Sequence, residues 1–267
     1  MTTNIFDILP PSTDRICEIY ALKLGEITRD TSFVVYLTDF GVPITTFYYV
    51  WCIKGSDGIV LVDTGFTSKI PQSQAVRNLT SPVDQLAKIG VDAKEISTVI
   101  ISHLHWDHAG GCNFFPKATF YIQRREFEFF TENPLSKYKP FTKVTYQEGL
   151  EQLVKLKEAG RVKLVEGAAP IAPGISVMLA PGHTPGLMVT LVNTARGIAA
   201  ISSDCGHLFR NFEEEIPSSI ITDMITWLES YRRIKGVVSA PDLIFPGHDA
   251  LMITRYPRVA EGVSKLV

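Results

Sequence analysis

The chain has 267 residues, 45% hydrophobic and 20% charged, with a formal net charge of −2. That length suits one large domain or two small ones with ample core, and the near-neutral balance without a Lys/Arg-rich block speaks against a nucleic-acid partner. Residues 1–20 show no basic segment leading into an apolar one, and no run of about 18 apolar residues occurs, so neither a signal peptide nor a membrane span is expected. Cys17, Cys52, Cys112 and Cys205 lie far apart, with no C-x-x-C spacing. They are expected to be free thiols of a cytoplasmic protein.

In chain order, an aromatic stretch comes first: Phe33, Tyr36, Phe40, Phe47, Tyr48 and Tyr49, interrupted by the loop signal Gly41-Val42-Pro43. The 29–47 loop is the better candidate for a lid, although such aromatics serve equally as core or interface. Residues 47–53 and 58–63 read as apolar strands joined by the turn formers Gly55-Ser56-Asp57-Gly58. The second strand ends in Asp63-Thr64-Gly65. Residues 80–90 carry Val83, Leu86 and Ile89 at helical spacing, with Gly90 as the stop. The short strand 97–101 runs into Ser102-His103-Leu104-His105-Trp106-Asp107-His108.

A second aromatic group follows: Phe127, Phe129, Phe130, Tyr138, Phe141 and Tyr146, with Asn133-Pro134 as a loop signal. Arg124 and Arg125 precede it; they could receive a substrate carboxylate, but adjacent arginines on a helix are usually solvated. Residues 147–159 and 219–235 are predicted amphipathic helices. Residues 175–180, 187–193, 198–203 and 242–246 are predicted strands. Sheet-and-helix units thus occur twice without a composition break. The expected organisation is one domain, 1–267, of two αβ halves, roughly 1–160 and 161–267.

Polar residues follow the apolar runs. His103, His105, Asp107 and His108 follow 97–101, and His183 follows 175–180 within Pro181-Gly182-His183-Thr184-Pro185-Gly186. Asp204 follows 198–203, and His248 follows 242–246 within Pro246-Gly247-His248-Asp249. A lone histidine after a strand more often packs or faces solvent than ligates. Here half of the chain's six histidines fall in one six-residue motif. Imidazole and carboxylate are the ligands that zinc prefers, and H-x-H-x-D-H is too rich for one metal. It reads as half of a two-metal site, completed by His183, Asp204 and His248.

These motifs together resemble the metallo-β-lactamase superfamily over roughly residues 47–250. The resemblance implies an α/β (α+β) fold, a four-layer αββα sandwich with a dinuclear site at one edge. It implies His103, His105 and His183 on a first metal, Asp107, His108 and His248 on a second, and Asp204 as the bridge. Asp63 would orient a ligand histidine through its other ring nitrogen. Two divalent ions, Zn2+ foremost and Mn2+ or Fe as substitutes, would share a hydroxide near neutral pH and polarise a carbonyl. Asp107 or Asp204 would hold the attacking water and pass on its proton.

Among the branches of that superfamily, the spacing looks most like the lactonases. The implied function is hydrolysis of a small lactone or other ester with an apolar or aromatic part. If the substrate is an acyl-homoserine lactone, the role is quorum quenching. One departure matters: those lactonases are expected to carry a tyrosine three residues after the bridging aspartate, where this chain has His207. His207 could serve as donor or general acid, or it could only pack. Trp106 could line the pocket or fill space beneath the loop.

The first alternative is a glyoxalase II-type thioesterase, which would use basic residues near the C-terminus; Arg255, Arg258 and Lys265 are present in no recognisable pattern. A flavodiiron-type redox protein is disfavoured because His105 is intact and there is no room for a flavin domain. The expected partner is a small lactone or ester, with the chain as monomer or homodimer.

Overall fold

The computed structural model describes residues 5–267. Among them the strands are β1 (Glu18–Asp30), β2 (Pro43–Gly55), β3 (Gly58–Val62), β4 (Thr98–Ile100), β5 (Thr119–Gln123), β6 (Val162–Val165), β7 (Ala169–Ala172), β8 (Ile175–Leu179), β9 (Met188–Thr194), β10 (Gly197–Ser203), β11 (Ile244–Pro246), β12 (Arg258–Ala260) and β13 (Val263–Lys265). They form an eight-stranded sheet, β12-β13-β1-β2-β3-β4-β5-β6, and a five-stranded sheet, β11-β10-β9-β8-β7. Strands β3 to β6 run parallel, as do β10 and β11.

Period-2 alternation assigns each strand's side chains to two layers. In β2, Tyr49, Trp51 and Ile53 face the second sheet, where they meet Val177, Met188, Val192, Ile201 and Phe245. Tyr48, Val50 and Cys52 face the other way. They share a cluster with Leu86, Phe127, Phe130, Leu150 and Leu153, from the helices Pro82–Ala87, Arg124–Thr131 and Gln147–Glu158. On the far side, Met178, Val189, Leu191 and Ala200 pack against Phe212, Trp227, Tyr231 and Ile234 from the helices Phe209–Glu214 and Met224–Val237. The result is the expected helix–sheet–sheet–helix sandwich. All four cysteines are free and buried, and no helix among the described residues is long and apolar enough to cross a membrane.

Local chemistry sets the element ends. Gly55 pairs with Gly58 across a two-residue turn. Ser81 caps the helix Pro82–Ala87 by accepting from the Asp84 N–H at 3.1 Å, with Pro82 at its start.

The structure departs from the sequence expectations in four places. Strand β1 was not foreseen. Sheet membership does not follow the midpoint of the chain, because β6, β12 and β13 join the first sheet. The 29–47 segment is no loop: it is the end of β1, a helical turn Thr31–Val34, a short connection and the start of β2. Finally, the helix predicted for 219–235 begins at Met224. Asp223 caps it by accepting from the Thr226 N–H at 3.0 Å, and the branched Ile220-Ile221-Thr222 run before that cap is a poor helix start.

Candidate metal centre

Every strand that ends in a candidate ligand ends at the same edge of the sandwich. The β4 loop delivers His103, His105, Asp107 and His108 from the first sheet. The β8, β10 and β11 loops deliver His183, Asp204 with His207, and His248 from the second. Because β10 and β11 are parallel and pair Ser203 with Pro246, Asp204 and His248 leave the sheet side by side. All six of the chain's histidines converge here, and all are buried.

Three groups of ligand-type atoms lie within metal-holding distance of one another: His103, His105, His183 and Asp204; Asp107, His108 and His248; and Asp204, His207 and His248. Asp204 sits between them. Its Oδ1 lies 3.3 Å from His108 Nε2 and 3.0 Å from His248 Nε2. Its Oδ2 lies 3.4 Å from His183 Nε2, 3.8 Å from His103 Nε2 and 3.3 Å from His207 Nε2. On the far side Asp107 Oδ2 is 3.3 Å from His108 Nε2 and 3.5 Å from His248 Nε2. His105 Nδ1 faces His183 Nε2 at 3.0 Å.

The outward nitrogens are tied down. His183 Nδ1 donates to the Ile220 carbonyl at 2.9 Å and His248 Nδ1 to the Phe47 carbonyl at 2.8 Å. His108 Nδ1 meets Asp63 Oδ2 at 2.7 Å. Ser102 Oγ donates to Asp63 Oδ2 at 2.9 Å, which leaves it to accept from His103 Nδ1 at 3.0 Å. Such contacts orient these four rings, so that Nε2 of each points inward. Asp63 also accepts from the Ser102 N–H at 2.7 Å, with its own backbone at φ 65°.

The electrostatics match a cation. Burial, reinforced by neighbouring imidazoles, holds His103 and His105 well below the ordinary histidine range, and burial takes His183 down to about 4. These rings are therefore neutral and able to ligate. Burial opposes ionisation of Asp107 and Asp204, but the histidines around them outweigh it; Asp107 falls to about 2 and Asp204 well below its usual range. Burial likewise opposes a charge on His108, yet Asp107, Asp204 and Asp63 overcome it and push its pKa well up. The proton so held is the positive charge that a divalent ion displaces on binding. His103 Nε2, His108 Nε2 and Asp204 Oδ1 are buried without a hydrogen-bond partner. Buried polar atoms with nothing to bind are costly unless a cation takes them, so the donor set fits metal.

The site opens into a cavity of about 600 Å³. Both aromatic stretches contribute to its wall: Phe33 from the turn after β1, and Phe130 and Phe141 from the other side, with Trp106 between. Trp106 also packs edge-on against Phe66, with ring centroids 4.7 Å apart. Tyr36, Phe40 and Tyr138 are exposed elsewhere, and Phe127 is core. Residues Ser219 to Thr222, expected in a helix, line the cavity instead. Arg124 pairs with Glu166 on the surface, and Arg255 packs over the Phe209 ring; neither they nor Arg125, Arg258 and Lys265 line the cavity. The thioesterase expectation loses its basic patch.

Two contributors escaped the sequence reading. Glu126 is fully buried and braces two ligand loops: Oε1 accepts from the Leu104 N–H at 2.9 Å and Oε2 from the Gly186 N–H at 2.8 Å. Nothing in the charged run Arg124-Arg125-Glu126 signals this. Arg29, in the unforeseen β1, reaches the cavity wall and donates to Tyr48 Oη at 3.0 Å.

Comparison with known proteins agrees with this geometry. The sequence profile described as "Metallo-beta-lactamase superfamily" matches residues 41–248. An N-acyl homoserine lactonase of Bacillus cereus is 29% identical over 218 residues, covering 75% of this chain and 81% of that protein. A solved structure described as a quorum-quenching N-acyl homoserine lactone lactonase superposes with a TM-score of 0.74 at 25% identity, covering 94% of this chain and 98% of the other. A dizinc quorum-quenching lactonase, AidC, shares the fold with a TM-score of 0.69 at 20% identity, over 92% of this chain and 90% of its own.

Proposed function

The chain belongs to the metallo-beta-lactamase superfamily, and on that premise we propose that it is a metal-dependent hydrolase that opens a lactone ring. The observation that carries this reading is Asp204: Oδ1 faces His108 at 3.3 Å, Oδ2 faces His103 and His183 at 3.8 and 3.4 Å, and His248 Nε2 lies 3.0 and 3.2 Å from the two oxygens, so the carboxylate sits between the two histidine groups. A carboxylate so shared suits two cations. His103, His105 and His183 would hold one, Asp107, His108 and His248 the other, with Asp204 between them; zinc is the first choice and manganese or iron the substitutes. The lactonase relatives support ester, rather than phosphoester or thioester, as the bond cleaved.

When bound, such a pair supplies a nucleophile from water at neutral pH and Lewis acidity for an ester carbonyl. The chain does the rest. Asp107 lines the cavity as an ionised carboxylate; we assign it the proton of the attacking water, to be passed to the alkoxide that leaves as the ring opens. Burial holds His207 well below the ordinary range, with His183 and His248 adding to the effect. Its ring is neutral, so it donates a hydrogen bond to the developing oxyanion rather than acting as a general acid. The aromatic wall excludes water and favours a substrate with an apolar or aromatic part. In this reading the two sheets form one hydrolase domain acting on a small molecule.

Metal analysis of the purified protein, with base-uptake assays over a panel from acyl-homoserine to benzo-fused lactones, tests the reading. About two divalent ions per chain and turnover of at least one lactone are expected, with turnover abolished in His248→Ala and Asp204→Asn. A protein that binds no metal after metal-supplemented expression would sink it.

A further inference from the structure

Two cations that the proposed chemistry does not use line the cavity, Arg29 and the exposed Lys143. The carboxylates lining the cavity are Asp107 and Asp204, both taken up by the metal centre. Arg29 lines it too, and among the described residues Arg29 has no carboxylate partner. Its guanidinium is nevertheless held in place. One face lies 4.9 Å from the centre of the Phe33 ring. One amine donates to Tyr48 Oη at 3.0 Å. Its Nε–H is buried with no acceptor at all.

Arginine pairs bidentately with carboxylates, and stacking against a ring orients its donors in advance. A buried guanidinium N–H left unmatched is costly, and an acceptor brought in by a ligand relieves it. The position fixes how far such a ligand reaches. Tyr48 bridges Arg29 to the metal centre, since its ring lies 5.4 Å, edge-on, from that of His248. It lies equally close to Trp106, at 5.4 Å. An acceptor on Arg29 is therefore about one aromatic ring away from the metal ligands.

We propose that Arg29 binds a carboxylate carried by the substrate, so that the site takes acidic, ring-bearing lactones: the ester over the metals, the ring between Phe33, Trp106 and Phe130, the carboxylate on the guanidinium. Tyr48 is the positioning residue that holds Arg29. This rests on the lactonase reading above and narrows its substrate class.

The test compares a benzo-fused lactone bearing a ring carboxylate with its carboxamide isostere, on the metal-loaded wild type, Arg29→Met and Arg29→Lys. The wild type should prefer the carboxylate through a lower KM. In Arg29→Met that preference should shrink about 10- to 100-fold, mainly in KM, the range of one charge-assisted hydrogen-bonded pair; Arg29→Lys should recover part of it. Loss of rate on both substrates alike, with the preference intact, would overturn the proposal. Calorimetry with the matching aromatic carboxylate that lacks a lactone ring gives a second readout. Wild type should bind it more tightly than Arg29→Met; equal affinity overturns the proposal. If no lactone is turned over at all, the function reading fails, and the calorimetric comparison still decides the role of Arg29.

Discussion

Gly247 backs onto Asp204 so closely that a β-carbon there would stand 2.2 Å from Oδ1. The cause is the parallel pairing of β10 and β11, which sends their two loops out together. Only glycine lets the backbone pass behind the shared carboxylate. Gly247→Ala should displace Asp204, and because that carboxylate serves both histidine groups, both metals should suffer. We expect metal content below half of wild type and turnover down at least about 100-fold, the upper loss for an outer contact to a metal ligand, with the far-UV spectrum kept. Full metal content in the variant would mean that Asp204 tolerates the shift.

Asp63 holds Ser102 through two contacts and His108 through a third. Asp63→Asn keeps the size of the side chain but removes the charge facing His108. Metal affinity, measured by chelator competition, should fall about 10- to 100-fold. An unchanged affinity would reduce Asp63 to a turn residue.

Glu126 supplies the pH dependence. Burial raises its pKa from the ordinary 4.5 to about 7, against the pull of the Leu104 and Gly186 N–H groups. A carboxyl with a raised folded-state pKa makes the folded chain bind more protons than the unfolded one between those two values. The stabilisation is therefore fully present below about pH 4.5 and is lost as the pH rises through about 7. The span corresponds to a few kcal/mol at most, on the order of 3. Urea unfolding at pH 5 and pH 8 should show this loss in wild type and not in Glu126→Gln. The same slope in both would assign the pH dependence elsewhere.

His207 is tested by His207→Phe. Removing one oxyanion donor should lower kcat roughly 100-fold with KM little changed, while two metals stay bound. Unchanged turnover would make His207 a packing residue. Loss of one metal would make it a ligand, as its nearness to Asp204 and His248 permits.

Much of the centre was legible because its chemistry is dense: three histidines and an aspartate in six residues, and three more polar residues after apolar runs. The sandwich was expected only through the family resemblance those motifs carry; the apolar strands by themselves pointed no further than two sheet-and-helix halves. Strand β1 was not legible, since Lys23, Glu26, Thr28 and Arg29 interrupt its apolar pattern and a bulge between Lys23 and Gly25 shifts its register against β2. Glu126 and Arg29 look like surface charges in sequence; only tertiary packing turns one into a brace and the other into a cavity wall. The helix begins at Met224 rather than at 219 because Asp223 caps it and the Ile220 carbonyl accepts from His183, a tertiary contact that local spacing does not reveal.

The pairing of β1 with β13 has a consequence for how the molecule is made. Tyr20 sits opposite Lys265 and Leu22 opposite Val263. During synthesis β1 emerges long before β13, its partner on that side. Until then one margin of the larger sheet carries open backbone donors and acceptors that any other strand can engage. Strands this distant in sequence also close slowly. The β1–β13 seam is thus where the nascent chain is most exposed to mispairing, and where a chaperone would have most to protect.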